Sequence, residues 1–158
     1  MFKKTAIALA ATSMLAAATI LSGCATTYSE MGAMGGVMAA PVTNDVYRIS
    51  ARGNGYTDAT TIQDYVLLKA SETTIAAGKT HFEVINNRDA TSNVTQQTAG
   101  TFGRGLFGGV SYSPGFNYEI VKPGEDLMIR VSNASGPNSY NAQEVFNNIN
   151  PRVKRPKG

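Results

Sequence analysis

Apolar positions recur at helical spacing in one long stretch, from about Thr60 to Ala77. Ile62, Tyr65, Val66, Lys69, Ala70, Thr73 and Ala76 follow an i, i+3, i+4 stripe, which Leu68, Glu72 and Ile75 widen on one side. Thr60 and Gln63 have capping-box spacing at its start. Gly78 offers the left-handed residue that ends a helix, and Lys79 complements the C-terminal dipole. This predicts the main helix.

Elsewhere the period falls to two. Val46 to Arg52 alternates, carries β-branched and aromatic residues, and is stopped by Gly53-Asn54-Gly55. Thr80 to Ile85 predicts a second strand, with Phe82 and Val84 on one face and His81, Glu83 and Ile85 on the other. Asn86-Asn87-Arg88-Asp89 follows as a turn. Leu127, Ile129 and Val131 alternate with Met128 and Arg130, so 126–131 is a strand. The spacing pairs it with 117–121 as a hairpin, turned by Lys122-Pro123-Gly124-Glu125. Ala142, Val145, Phe146 and Ile149 return to helical spacing before Pro151 ends the run.

Layered packing of these elements gives an α+β fold: a small, mostly antiparallel sheet of about four strands, with the main helix and a short C-terminal helix on one face. Between the second strand and the hairpin lies residues 86–116. Its first part is rich in Gln and Thr; its second is Gly-rich with Phe102, Leu106, Phe107, Val110 and Tyr112 between. We expect a loop that folds over the sheet edge and tucks these aromatics against it. The competing reading exposes them to a partner or to lipid, with Arg104, Phe107 and Tyr112 as the contact residues.

The N-terminus carries an address. Lys3 and Lys4 form a short positive region, and Thr5 to Leu21 is uncharged and mostly Ala, Ile, Leu, Met and Thr. The apolar core is short for a membrane span. Leu21-Ser22-Gly23-Cys24 then resembles the lipobox of bacterial lipoproteins. That resemblance implies cleavage between Gly23 and Cys24, a diacylglycerol thioether on Cys24 and acylation of the new amine. Ala25 in the next position, rather than Asp, implies sorting to the outer membrane with the body facing the periplasm. At about 0.8 kcal/mol per buried CH₂, one acyl chain binds marginally, whereas three would hold firmly. Residues 25–44 are small, Gly-, Ala- and Met-rich and aperiodic, so we expect a flexible tether of about 25 Å typical span.

Charge refines this picture. The chain has 14 Lys plus Arg against 11 Asp plus Glu, a formal +3. Loss of Lys3 and Lys4 with the leader would leave 12 against 11, and four of those cations lie in the last seven residues. Residues 24–151 therefore hold 8 basic against 11 acidic residues, a net −3. A mildly acidic body with a basic tail does not describe a nucleic-acid binder. The tail, 152–158, is either a solvated end or a weak attractor for anionic lipid or cell-wall groups.

Candidate chemistry is sparse. One Cys and one His exclude a disulfide framework, an HExxH zinc site and thiolate clusters. Gly103-Arg104-Gly105-Leu106-Phe107-Gly108 fits GxGxxG literally, but the residues after it are poor helix material, so the dinucleotide context is missing. His81 and Glu83 share a strand face without further spaced ligands, which reads as a solvated face. No nucleophile elbow accompanies His81. Asn93-Val94-Thr95 and Asn133-Ala134-Ser135 fit the glycosylation sequon, incidentally for a lipobox protein.

Tyr47-Arg48-Ile49, Gly53-Asn54-Gly55 and the run Asp64 to Thr74 with Gly78 and His81-Phe82 resemble a family of uncharacterised proteobacterial envelope (outer-membrane) lipoproteins. The family pattern is Tyr-x-Leu-Leu-(Arg/Lys)-Ala-Ala-Glu; here Ser71 replaces the second Ala. Tyr140-Asn141-Ala142 through Asn150-Pro151-Arg152 also resembles its ending. About half of the mature chain is covered, and 86–116 is skipped. The resemblance implies a lipoprotein with a small α+β body and carries no catalytic residue, metal or cofactor.

The expected layout is therefore a signal peptide at 1–23, lipidated Cys24 and tether at 24–44, a periplasmic domain at 45–151 and a basic tail. The expected function is a non-enzymatic, lipid-anchored outer-membrane lipoprotein, without cofactor beyond its covalent lipid. It would serve envelope structure or bind an envelope protein. The alternative is a periplasmic binding or sensing module for a glycan or anionic envelope polymer, working through 86–116.

Overall fold

The computed structural model describes residues 24–104 and 110–156. In chain order they form β1 (Gly36–Pro41), β2 (Val46–Arg52), α1 (Ala59–Ala76), β3 (His81–Asp89), β4 (Ser92–Gln97) and β5 (Thr101–Arg104). After them come β6 (Val110–Ser113), β7 (Asn117–Lys122), β8 (Gly124–Ser132), β9 (Ser139–Asn141), α2 (Ala142–Ile149) and a 3₁₀ turn, Asn150–Arg152. Five strands make one antiparallel sheet in the order β1-β2-β8-β3-β9. The fold is α+β as expected, with five strands in the main sheet rather than about four.

Helix α1 forms where its periodicity places it. Its N-cap is Asp58, two residues ahead of Thr60: Thr61 N donates to Asp58 Oδ1 at 2.8 Å and Thr61 Oγ1 to Oδ2 at 2.6 Å. The carboxylate supplies both the acceptor and the negative charge that the helix start favours, which the Thr60–Gln63 pairing would not. Gly78, at φ +69°, closes the other end. Ile62, Tyr65, Val66, Leu68 and Ala70 face the sheet and are buried against Ile49, Ala51, Phe82, Ile129 and Val131. Each such large aliphatic or aromatic side chain removed from water contributes about 1.5–3 kcal/mol. Ser71 and Thr74, also buried, return their hydroxyls to Leu68 O and Ala70 O at 2.7 Å. Helix α2, capped by Asn141 through Glu144 N at 3.0 Å, packs beside α1 and buries Ala142 and Ile149.

Three sequence expectations are corrected. Residues 25–44 are not a tether: Tyr28 and Val37 lie in the core and β1 is the edge strand of the sheet. Small residues there serve close packing rather than flexibility. Asn86 to Asp89 is not a turn but the continuation of β3 along β8, past an irregularity between Val84 and Asn86. Nor do 117–121 and 126–131 pair as a hairpin. Strands β7 and β8 run on from one another across Pro123; β8 sits between β2 and β3, while β7 pairs with β4.

The long loop is likewise absent. Every pairing from Asn86↔Met128 through Ser92↔Lys122 to Arg104↔Val110 is centred on the same position, 107. β3-β4-β5 and β6-β7-β8 are thus the two legs of a single hairpin. Its inner half belongs to the main sheet. Its outer half, from Ser92 to Arg104 and back from Val110 to Lys122, is a two-stranded ribbon, paired with itself and with no other strand. Thirteen residues at about 3.3 Å each give this ribbon a contour near 40 Å.

Candidate functional site

Cys24 is exposed with a free thiol. Its carbonyl accepts a hydrogen bond from Asn54 Nδ2 at 2.7 Å. Two residues later the chain is already fixed. Buried Thr26 donates its amide to Thr57 Oγ1 at 2.9 Å and its hydroxyl to Met34 O at 2.8 Å. Its carbonyl receives Tyr65 OH at 2.8 Å, and Asn54 N donates to its hydroxyl at 3.0 Å. Asn54 holds the Gly53–Gly55 bend in shape, since its Oδ1 accepts from Tyr56 N and Thr57 Oγ1, both at 3.0 Å. Residues 24–28 are a built part of the body.

Tyr28 completes this mooring. Its hydroxyl donates to Glu72 Oε2 at 2.5 Å, and its ring meets Tyr65 edge-on at 5.4 Å. The Arg155 guanidinium lies 4.7 Å from the ring centre and donates to Glu72 Oε1 at 2.8 Å. Burial, the hydrogen bond to Glu72 and that carboxylate's charge hold the Tyr28 hydroxyl well above the usual phenol range. Burial also raises Tyr65, helped by the charge of Asp58. Tyr28 N further donates to Lys154 O at 2.8 Å. Arg152 clasps Asp64 with two hydrogen bonds, at 2.7 and 2.5 Å. The basic tail is therefore not a frayed end as far as Pro156: both its arginines are engaged on α1. Lys157 and Gly158 lie outside the described residues.

Beside Cys24 opens a groove of about 570 Å³. Its walls are the bend from Met31 to Gly35, the bend from Gly53 to Tyr56, and the base of the ribbon at Gln96, Tyr118, Ile120 and Lys122. The second bend can approach the ribbon because residue 55 is glycine: a Cβ there would stand 2.4 Å from Ile120 Cγ2. Arg52 contributes to the lining and donates to Asp126 Oδ2 at 3.0 Å. Burial pushes the Asp126 carboxyl up, but hydrogen bonds from Arg52 and Ser50 and the charges of Arg52 and Arg88 outweigh it. The net shift is below the usual carboxylate range. Lys122 makes no ion pair among the described residues.

The ribbon has two unlike faces. Positions 94, 96, 118 and 120 share the side that lines the groove, which carries Val94, Gln96, Tyr118 and Ile120. Counted across residues 98–100 and 114–116, which belong to neither ladder, Phe116, Tyr112 and Phe102 fall at the same alternate positions farther out. Phe102 and Tyr112 face each other across the strands, ring centres 4.8 Å apart, yet are 78% and 60% exposed; Phe116 is 66% exposed. The opposite side carries Asn93, Thr95, Gln97, Asn117 and Glu119, with Val121 exposed at its inner end and no aromatic ring.

Of the three expected contact residues, Tyr112 is thus on strand β6 rather than in a loop, and its ring is not tucked onto the sheet edge. Arg104 ends β5. Phe107 falls outside the described residues, as do Gly23 and the whole leader. Of the GxGxxG stretch, residues 105–108 lie outside the described residues; the next described element is strand β6, from Val110, where a dinucleotide fold has a helix. His81 Nδ1 is 2.8 Å from the neighbouring Thr80 Oγ1, and Glu83 lies 3.5 Å from Arg130. Among the described residues no three His, Cys, Asp or Glu side chains gather as a metal site, and no helix is long and apolar enough to cross a membrane. Sequence reasoning missed the groove and the ribbon face. The signal was present in the mirror placement of Val94 and Ile120, Gln96 and Tyr118, Phe102 and Tyr112 about position 107.

No protein-family model, curated protein or solved structure matches this chain.

Proposed function

We propose that this chain is a lipid-anchored lipoprotein of the outer membrane, its body facing the periplasm, acting without catalysis in envelope structure or protein association. The observation that carries the reading is Leu21-Ser22-Gly23-Cys24 behind a positive, then apolar, leader. The exposed Cys24 thiol agrees with it. So does the resemblance of the α1 sequence to envelope lipoproteins. Three acyl chains, at about 0.8 kcal/mol per buried CH₂, would keep such a body at the membrane throughout its life.

The alternative, a periplasmic binding or sensing module for a glycan or anionic envelope polymer, would work through 86–116, which is paired strand over most of its length. The anchoring reading rests on the leader and Cys24 and is independent of that segment. Growth of cells on labelled palmitate tests it. The chain should carry label and fractionate with the outer membrane, and Cys24→Ser should lose both. An unlabelled, freely released wild-type chain would overturn it.

A further inference from the structure

We propose that the groove-side face of the ribbon, with Met34 and Tyr56 beside Cys24, is a second membrane contact that lies on the phospholipid surface. The inference rests on the lipid-anchor reading above and adds the orientation of the body on the bilayer. It begins from distance. A flexible twenty-residue linker would let the body stand about 25 Å from the headgroups, but no such linker exists. One residue separates Cys24 from buried Thr26, and Cys24 O is bonded to Asn54, which itself lines the groove. Chains attached to Cys24 sulfur must leave the molecule at this rim. Whatever surrounds the rim is brought to the membrane surface with them.

What surrounds it has the chemistry of an interface. Tyr56 and Met34 are 77% and 70% exposed on either side of the groove. Tyr118, Phe116, Tyr112 and Phe102 extend that apolar surface outward along one side of the ribbon. Aromatic rings with one wet edge settle at headgroup level, where their apolar body meets the acyl boundary. Charge agrees. By register, the groove-side positions of the ribbon include no Asp or Glu, whereas Glu119 faces the other way. Lys122, without an ion-pair partner among the described residues, stands at the inner end and suits lipid phosphate. A bilayer also explains why a two-stranded ribbon concentrates its rings on one side with no other element among the described residues over the outer ones: the covering layer is lipid.

The absence of Trp supplies a clean test. Single Trp replacements are made in the full-length chain on the groove-side face, Phe116→Trp and Tyr112→Trp, and on the opposite face, Thr95→Trp and Asn117→Trp. All four positions are exposed, so folding is retained. The lipidated proteins are reconstituted into phosphatidylethanolamine–phosphatidylglycerol vesicles with or without brominated acyl chains, and floated. The expected result is blue-shifted emission from the first pair, quenched several-fold more by bromine than the second pair. Equal, weak quenching of all four in vesicles that still float with protein would overturn the membrane face and leave the anchor standing. A blue shift without bromine quenching would mean that protein, a second copy included, covers this face, and would overturn it too. Failure to float would remove the anchor reading and this inference with it.

Discussion

The inner and outer halves of the central hairpin share one register and live in opposite surroundings. In the inner half, Phe82, Ile129 and Val131 are buried under α1, with β2 and β9 completing the sheet on either side. In the outer half, the strands continue with the same residue offset, and beyond the contact of Ile120 with the Gly55 bend rings of comparable size stand in solvent. Backbone pairing fixes the geometry of both; only the inner half adds burial. A two-stranded hairpin alone is marginal in water, so the ribbon takes its order from the sheet that launches it. The comparison teaches that the aromatics of the ribbon do not hold the fold together, which frees them for a surface role.

The comparison can be broken most forcefully from the inside. Phe82→Ala empties a fully buried site stacked on Tyr140 at 5.4 Å, and should cost about 3–5 kcal/mol in chemical denaturation. A loss below 1 kcal/mol would contradict the placement of the core. Next is the junction. Gly55→Val pushes methyl groups into Ile120 at the root of the ribbon and should cost about 1–3 kcal/mol by overpacking. Amide exchange should then quicken in β4 and β7 while α1 stays protected, if the two halves are as separable as their burial indicates.

The Arg52–Asp126 pair gives a smaller, pH-dependent effect. The folded-state carboxyl titrates below its usual value. Its stabilising contribution is thus fully present above the unfolded value, near 4, and is lost as pH falls through the lower folded one. Asp126→Asn should flatten the acid limb of a stability–pH curve below about pH 4 and change its slope little near neutrality. An unchanged acid limb would show that the pair contributes nothing. Smallest of all, Phe102→Ser at the outer end should leave the unfolding midpoint within about 0.5 kcal/mol of wild type. A larger loss would mean that the ribbon supports the body after all.

Much of the inner half was legible because local rules and tertiary packing agree there. Helix α1 shows a periodic stripe and a closing Gly78, and β2 and β8 alternate cleanly. The hairpin was misjudged for a physical reason. Lys122-Pro123-Gly124-Glu125 has the chemistry of a tight turn, yet β8 pairs with β3 some forty residues upstream, whose exposed end, Asn86-Asn87-Arg88-Asp89, itself looks like a turn. Residues 25–44 misled through composition: their small residues look mobile, yet buried Thr26, Tyr28 and Val37 fix them. Of the candidate site, the Cys24 motif is legible because it is short and contiguous. The groove could not, since its walls come from three separated segments that only the folded chain brings together.

The clasp of Tyr28, Glu72 and Arg155 has a mechanical meaning. The residues just after Cys24 and residues 152–155 grip the same helix, and the backbones of Tyr28 and Lys154 are bonded directly. A tug applied at Cys24 would not peel the polypeptide away one bond at a time. It would load the Thr26 contacts, the α1 surface and the C-terminal latch together, so trimming residues 152–155 would weaken the hold on Cys24.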